Sequence, residues 1–289
     1  MQPSLYERFL KPANAFRGKP LWSWNGKLDR ERLLEQIRAF REMGFGGFYM
    51  HSRVGLQTEY LGEEWMELTR ACAEEAQRLG MEAWLYDEDR WPSGTAGGMA
   101  TREPQYRLKF IRADTEATDA FCWTEHTVAA FYCRLDGVNV YDCMQFHRDS
   151  TPLLPPSEGG VVLAFRTTEM ASTSFYNGST YLDTLNLEAT EHFLALTHEK
   201  YSQSCGDLFG GHIQGIFTDE PHRGSLLDGF GIANPDKERH VPWTYDLFER
   251  FQDAFGYDLL PRLPELFFRL NGQVVSQVKW HYVELLQRM

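Results

Sequence analysis

Positive charge is scarce in this sequence. Its 289 residues hold 29 Lys and Arg against 41 Asp and Glu, a formal net charge of −12. A nucleic-acid backbone or an anionic membrane surface calls for a basic face, so neither is expected as a partner; a cation or a neutral ligand stays open. Long apolar runs are missing too. No stretch approaches the ~18 residues of a membrane span, and MQPSLYERFLKPANAFRGKP at the start lacks an apolar core of signal-peptide length. Cysteine is sparse and unpatterned: Cys72, Cys122, Cys133, Cys143 and Cys205 are odd in number, with no CxxC and no zinc-type His pair nearby. Free thiols in a reducing cytoplasm are the expectation. No GxSxG nucleophile elbow and no HExxH occur. SGTAGG (93–98) has the look of a phosphate loop but neither the Walker ending nor the spacing of a dinucleotide fingerprint.

What is present is an ordinary globular composition, 43% hydrophobic and 24% charged, with aromatics high at 14%. Core packing accounts for much of the aromatic content, although sugar clefts also use Trp and Tyr. PLWSWNG (20–26), FGGFYMH (45–51) and MEAWLYD (81–87) read as short apolar strands. Between them, 28–44 and about 63–79 carry apolar residues at helical spacing, closed by Gly44 and Gly80. Apolar runs without alternation are the mark of parallel strands covered on both faces. From Lys109 to about Thr173 the pattern changes to alternating runs at 127–135, 137–146 and 159–167, with a hairpin signal at 135–137 and a loop at 151–160. YLDTLN (181–186) and IQGIF (213–217) then read as further strands, 187–206 as an amphipathic helix, and 244–256 and 274–289 as helical.

The expected fold is therefore α/β, a partial TIM-type barrel with about five of the eight strands of a closed one. Residues 1–108 would form its first part, 109–174 a small β-rich insertion, and 175–289 an incomplete continuation. The chain stops at Met289 within a helical pattern, so the expectation is a barrel truncated at its C-terminus. A complete open α/β sheet is the alternative.

In this architecture chemistry sits at the C-terminal ends of the strands. Those ends carry Trp22, Trp24 and Asn25; His51, Ser52 and Arg53; Asp87, Glu88, Asp89, Arg90 and Trp91; Asp183 and Asn186; and Asp219 and Glu220. Glycoside hydrolysis needs two carboxyl groups, one to protonate the leaving oxygen and one to activate water or attack. Asp219 and Glu220 emerge after an apolar run and suit that work; they equally suit capping the loop or pairing with an arginine. YDEDRWPSG (86–94) reads as a substrate or cation site with Trp91 as a stacking platform, or as a solvated turn with internal ion pairs. His51 reads as a ligand or an acid/base, or as a packed, hydrogen-bonded histidine.

PLWSWNG (20–26), GFGGFYMHSRVGL (44–56), YLGEEW (60–65), AWLYDEDRWPSGTAGG (83–98), YLDTLN (181–186) and GIFTDEP (215–221) resemble, in the same order, segments of glycoside hydrolase family 106, the α-L-rhamnosidases and their relatives. The resemblance implies a (β/α)₈ catalytic barrel interrupted after its third strand, inverting hydrolysis by a glutamate base and a glutamate acid, and a calcium ion near the sugar. Glu220 matches one catalytic carboxylate, the base. The second lies on a later strand that this chain does not contain. Trp22, Trp24, Asn25, His51, Arg53, Asp87, Asp89, Arg90, Trp91, Asp183 and Asp219 are the residues expected to bind a carbohydrate substrate. Asp87, Asp89, Asp183 and Asp219 are oxygen donors of the kind calcium takes, with no assignment among them.

Overall fold

A computed structural model of the chain describes residues 4–149, 159–224 and 239–289. Most of the loop expected at 151–160, and much of the polar stretch after Pro221, lie outside the described residues. Contacts divide the chain into two compact units. One comprises Met1–Tyr106, Ser172–Leu182 and Glu188–His222; the other comprises Arg107–Ala171, Asp183–Leu187 and Arg223–Met289.

In chain order the first unit begins with helix α1 (Leu5–Leu10), then β1 (Leu21–Trp24), α2 (Arg30–Glu42), β2 (Gly47–Ser52), α3 (Glu63–Arg78) and β3 (Glu82–Tyr86). The glycine stops are those read from the sequence, and the structure adds a cap. Asp29 caps α2, its Oδ1 accepting from the Arg32 amide at 3.0 Å. Gly44 and Gly80 follow α2 and α3 at φ of 88° and 63°, left-handed positions that suit glycine. The second unit contributes β4 (Lys109–Glu116), β5 (Thr127–Asp136), β6 (Asn139–Phe146) and β7 (Val161–Glu169). The chain returns to the first unit with α4 (Leu187–Leu196), α5 (His198–Cys205) and β8 (Ile213–Phe217). It ends in the second with β9 (His240–Trp243), α6 (Leu247–Phe255), α7 (Pro264–Phe267), β10 (Arg269–Leu270) and α8 (Gln277–Arg288).

The first unit's described strands form a parallel sheet in the order β1-β2-β3-β8. It is compatible with part of a (β/α) barrel. One face packs on helices: Trp22 and Trp24 of β1, Phe48 and Met50 of β2, and Ala83 and Leu85 of β3 share a core with Ile37 of α2 and Trp65 of α3. Burying side chains of this size contributes about 1.5–3 kcal/mol each. The Trp65 indole also donates to the Tyr201 hydroxyl of α5 at 2.9 Å, so this buried polar group is satisfied. The other face carries Tyr49, Trp84 and Phe217, with ring centroids 5.5 Å and 5.7 Å apart around Tyr49. Gly215 is required beside them, because a Cβ there would stand 2.7 Å from the Trp84 ring.

Two expectations change. Residues 181–186 form no strand. Asp183 instead holds a local turn, its Oδ1 accepting from the Leu185 amide at 3.2 Å, which is the side-chain-to-backbone bond that competes with strand pairing. The single helix expected over 187–206 is two, because Thr197 turns its hydroxyl back to the Phe193 carbonyl at 2.7 Å and breaks the run.

The second unit's described strands form a mixed sheet in the order β10-β6-β5-β7-β4-β9, antiparallel apart from the β10–β6 pair. Its core joins the sheet, through Ile111, Phe131, Phe165 and Val241, to Phe251 of α6 and Tyr282 and Leu286 of α8. Residues 239–289, read from the sequence as barrel, contribute to this unit. No helix among the described residues is long and apolar enough to cross a membrane.

Candidate active site

The first unit gathers polar side chains where β2, β3 and β8 end. β2 turns from an apolar run into His51 and Ser52, and β3 leads into Asp87, Glu88 and Asp89; all five are buried. Three consecutive buried carboxylates are costly unless hydroxyls, amides or cations answer them. Each has its own set. Asp87 accepts from Ser93 Oγ at 2.5 Å and Thr218 Oγ1 at 2.7 Å, and His198 Nε2 lies 3.5 Å away. Asp89 accepts from the Ser52 hydroxyl, and from Asn177 Nδ2 at 3.0 Å, with Arg90 Nη1 at 3.6 Å. Glu88 Oε1 meets His51 Nε2 at 3.1 Å and Arg53 Nη1 at 3.7 Å. Its other oxygen, Oε2, is buried with no hydrogen-bond partner among the described residues.

Asp219 joins the same network. Its Oδ2 accepts from the Tyr86 hydroxyl at 2.7 Å, and its amide donates to Ser93 Oγ at 2.9 Å. The Tyr86 ring stacks on His51 with centroids 3.8 Å apart and planes 3° apart. Tyr181 closes the network from behind: its hydroxyl donates to the Ser93 carbonyl and accepts from the His222 amide at 3.3 Å. The glycines of 93–98 give this path its room. A Cβ on Gly94 or Gly97 would stand 3.0 Å from the Tyr181 hydroxyl or from Asp89 Oδ2, and both have positive φ.

Burial pushes the Asp87 carboxyl above its ordinary range, and the Ser93 and Thr218 hydroxyls and His198 oppose that rise. Burial pulls the His198 imidazole down, against the pull of Asp87. Burial, reinforced by the bond to Asp219, raises the Tyr86 phenol. The site is therefore a desolvated acceptor array in which Glu88 Oε2 has no hydrogen-bond partner among the described residues.

Of the residues named from sequence, His51, Arg53, Asp87, Asp89, Arg90 and Asp219 lie in or beside this network. Trp22 and Trp24 face the helices instead. The Trp22 indole donates to Gln36 Oε1 at 2.7 Å, and Trp24 sits 4.8 Å from Trp65, edge to face; as core side chains they offer no stacking platform. Asn25 is exposed. Trp91 is 47% exposed, which leaves a platform open there. Asp183 belongs to the second unit, where it accepts from Thr244 Oγ1 at 2.8 Å. Glu220 is exposed and holds a φ of 41°, a left-handed backbone that a non-glycine residue rarely adopts without a reason. The sequence reading names Glu88 only as one strand-end carboxylate and Ser93 only as part of the 86–94 run, and it assigns no role to Tyr181, His198, Asn177 and Thr218, whose partners are distant in the chain.

Among the described residues no group of three or more His, Cys, Asp or Glu is arranged to hold a metal ion. The four aspartates that could have served calcium spend oxygens on hydroxyls and amides. Among the described residues they do not form a calcium cage.

No protein-family model matches the chain, and no curated protein matches it. Among solved structures the chain is similar to a rhamnosidase from Novosphingobium sp. PP1Y, with a TM-score of 0.59 and 14% identity. The match covers 99% of this chain and 45% of that one, so the chain spans less than half of that structure. At this identity the likeness is one of fold.

Proposed function

We propose that the first unit carries the strand-end site of a glycoside hydrolase of the family 106 type, acting with inversion on a terminal α-L-rhamnoside or a related deoxyhexoside. The observation that carries the reading is the array of three buried carboxylates with His51 at the ends of parallel strands, with one carboxylate oxygen left for a ligand hydroxyl. The likeness in fold to a rhamnosidase supports it. Glu220, strained at the end of β8, takes a proton from water, and the water oxygen bonds to the anomeric carbon. The bond from that carbon to the leaving oxygen breaks, and the leaving oxygen receives its proton from the second carboxyl that this chemistry requires. Glu88 Oε2 accepts from a sugar hydroxyl, and His51, 3.1 Å from Oε1, fixes the carboxylate that does so.

Turnover of aryl α-L-rhamnosides with acidic phenol leaving groups, which depart without a proton donor, by the chain and by Glu220→Gln is the test. Loss of roughly 10²–10⁴ in rate is expected; turnover near that of the unaltered chain removes Glu220 from the reaction. The exposure of Glu220 favours a second reading, a carbohydrate-binding or inactive chain. Calorimetry with L-rhamnose separates them: binding without hydrolysis supports a binding role, and no heat supports an inactive chain.

A further inference from the structure

The second unit has its own cavity, of about 460 Å³, within the roughly 300–1,000 Å³ that small-ligand pockets occupy. Its floor is one row of the mixed sheet. Register pairs Lys109 of β4 with Glu169 of β7 on one side and with Trp243 of β9 on the other. Thr167 and Tyr245 complete the wall. Three observations set the chemistry.

The first is aromatic. Tyr245 is 59% exposed, and its ring stands 5.4 Å from the buried Trp243 with the planes 64° apart, so an aromatic face is offered beside that indole. The second is an unanswered donor. Trp243 is 8% exposed, and its indole N–H has no hydrogen-bond partner among the described residues, although an indole nitrogen only donates and normally finds an acceptor when buried. The third is charge balance. Lys109 is 4% exposed, lies 4.8 Å from the centre of the Tyr245 ring, and interacts with both Asp183 and Glu169. Its positive charge is already matched, so the cavity has no excess charge with which to draw an anion. An apolar guest would strip water from Glu169, whose side chain is partly exposed, without replacing it.

We propose that this cavity is a binding site for a neutral saccharide, separate from the strand-end carboxylates of the first unit. A pyranose lays its C–H face on Tyr245, accepts from the Trp243 indole N–H through a ring or hydroxyl oxygen, and exchanges hydroxyl hydrogen bonds with Lys109, Glu169 and Thr167. The site stands whether or not the chain is a hydrolase.

The test follows the indole N–H signals of the full chain by NMR while methyl α-L-rhamnoside, methyl β-D-galactoside, methyl β-D-glucoside and methyl α-D-galacturonide are added. Trp243→Phe identifies the Trp243 signal, and Tyr245→Ala, a change at an exposed side chain, tests the platform if that variant folds poorly. At least one neutral glycoside is expected to shift the Trp243 signal, with binding at least tenfold weaker in Tyr245→Ala and unchanged in Glu220→Gln. The proposal is overturned if no neutral glycoside shifts that signal, if only the uronide does, or if Tyr245→Ala binds as well as the unaltered chain.

Discussion

The parallel unit and the mixed-sheet unit both bury carboxylates, and they partner them differently. In the second unit Glu265 is answered by Arg262 and by Ser276 Oγ, and Asp183, far from it in sequence, is answered as fully. Asp183 holds the turn at Leu185 and accepts from Thr244, and both of its oxygens are used. In the first unit Asp87, Glu88 and Asp89 follow one another, lie beside His51 and Asp219, and leave Glu88 Oε2 without a partner among the described residues. Burial of a charged group is therefore no sign of chemistry by itself. What distinguishes the first unit is that several such groups converge, one of them with a carboxylate oxygen that has no partner among the described residues, a cost that a purely structural network would avoid.

The contrast can be sharpened by substitution, beginning with the largest expected effect. Glu220→Gln is expected to lower turnover of an aryl α-L-rhamnoside by roughly 10²–10⁴ with an unchanged melting temperature, because the side chain is exposed. A parallel fall in melting temperature would instead give Glu220 a structural task. Asp87→Ala removes the acceptor for two hydroxyls and the partner of His198, and urea denaturation is expected to show a loss of about 2–4 kcal/mol. A loss near zero would mean that the network reorganises without it.

Asp183 supplies the smaller, pH-dependent effect. Burial pushes its carboxyl up to about 6, above the ~3.9 of an unfolded aspartate. The folded chain thus holds this proton more tightly than the unfolded one. The stability the group contributes is complete below about pH 4 and is lost as pH rises through about 6. Asp183→Asn is expected to flatten that decline by at most about 3 kcal/mol, with Thr244 still able to donate to the amide oxygen. Denaturation curves across this window would contradict the assignment if the variant kept the full slope.

Much of the first unit can be read without coordinates, because its strands and helices follow local rules. The apolar runs at β1, β2, β3 and β8, the cap at Asp29 and the stops at Gly44 and Gly80 are each decided by neighbours in sequence. The turn at Asp183 escaped that reading: Tyr181 and Leu182 look like a strand, while the bond from Thr244 comes from 61 residues away. Trp22 and Trp24 show a different limit. A period of two places both on one face of β1, but which face meets the helices depends on Ile37 and Trp65. The YDED run could be picked out as a cluster, but not the special position of Glu88 within it, since His51 lies 37 residues earlier.

Glu88→Gln decides most directly whether the strand-end carboxylates are a site or a scaffold. Amide for carboxylate keeps the shape and a contact with His51 while removing a buried charge. The prediction is a urea midpoint equal to or above that of the unaltered chain, together with binding of methyl α-L-rhamnoside weakened at least tenfold, about 1.4 kcal/mol. A lowered midpoint with binding intact would contradict it and make Glu88 a structural residue.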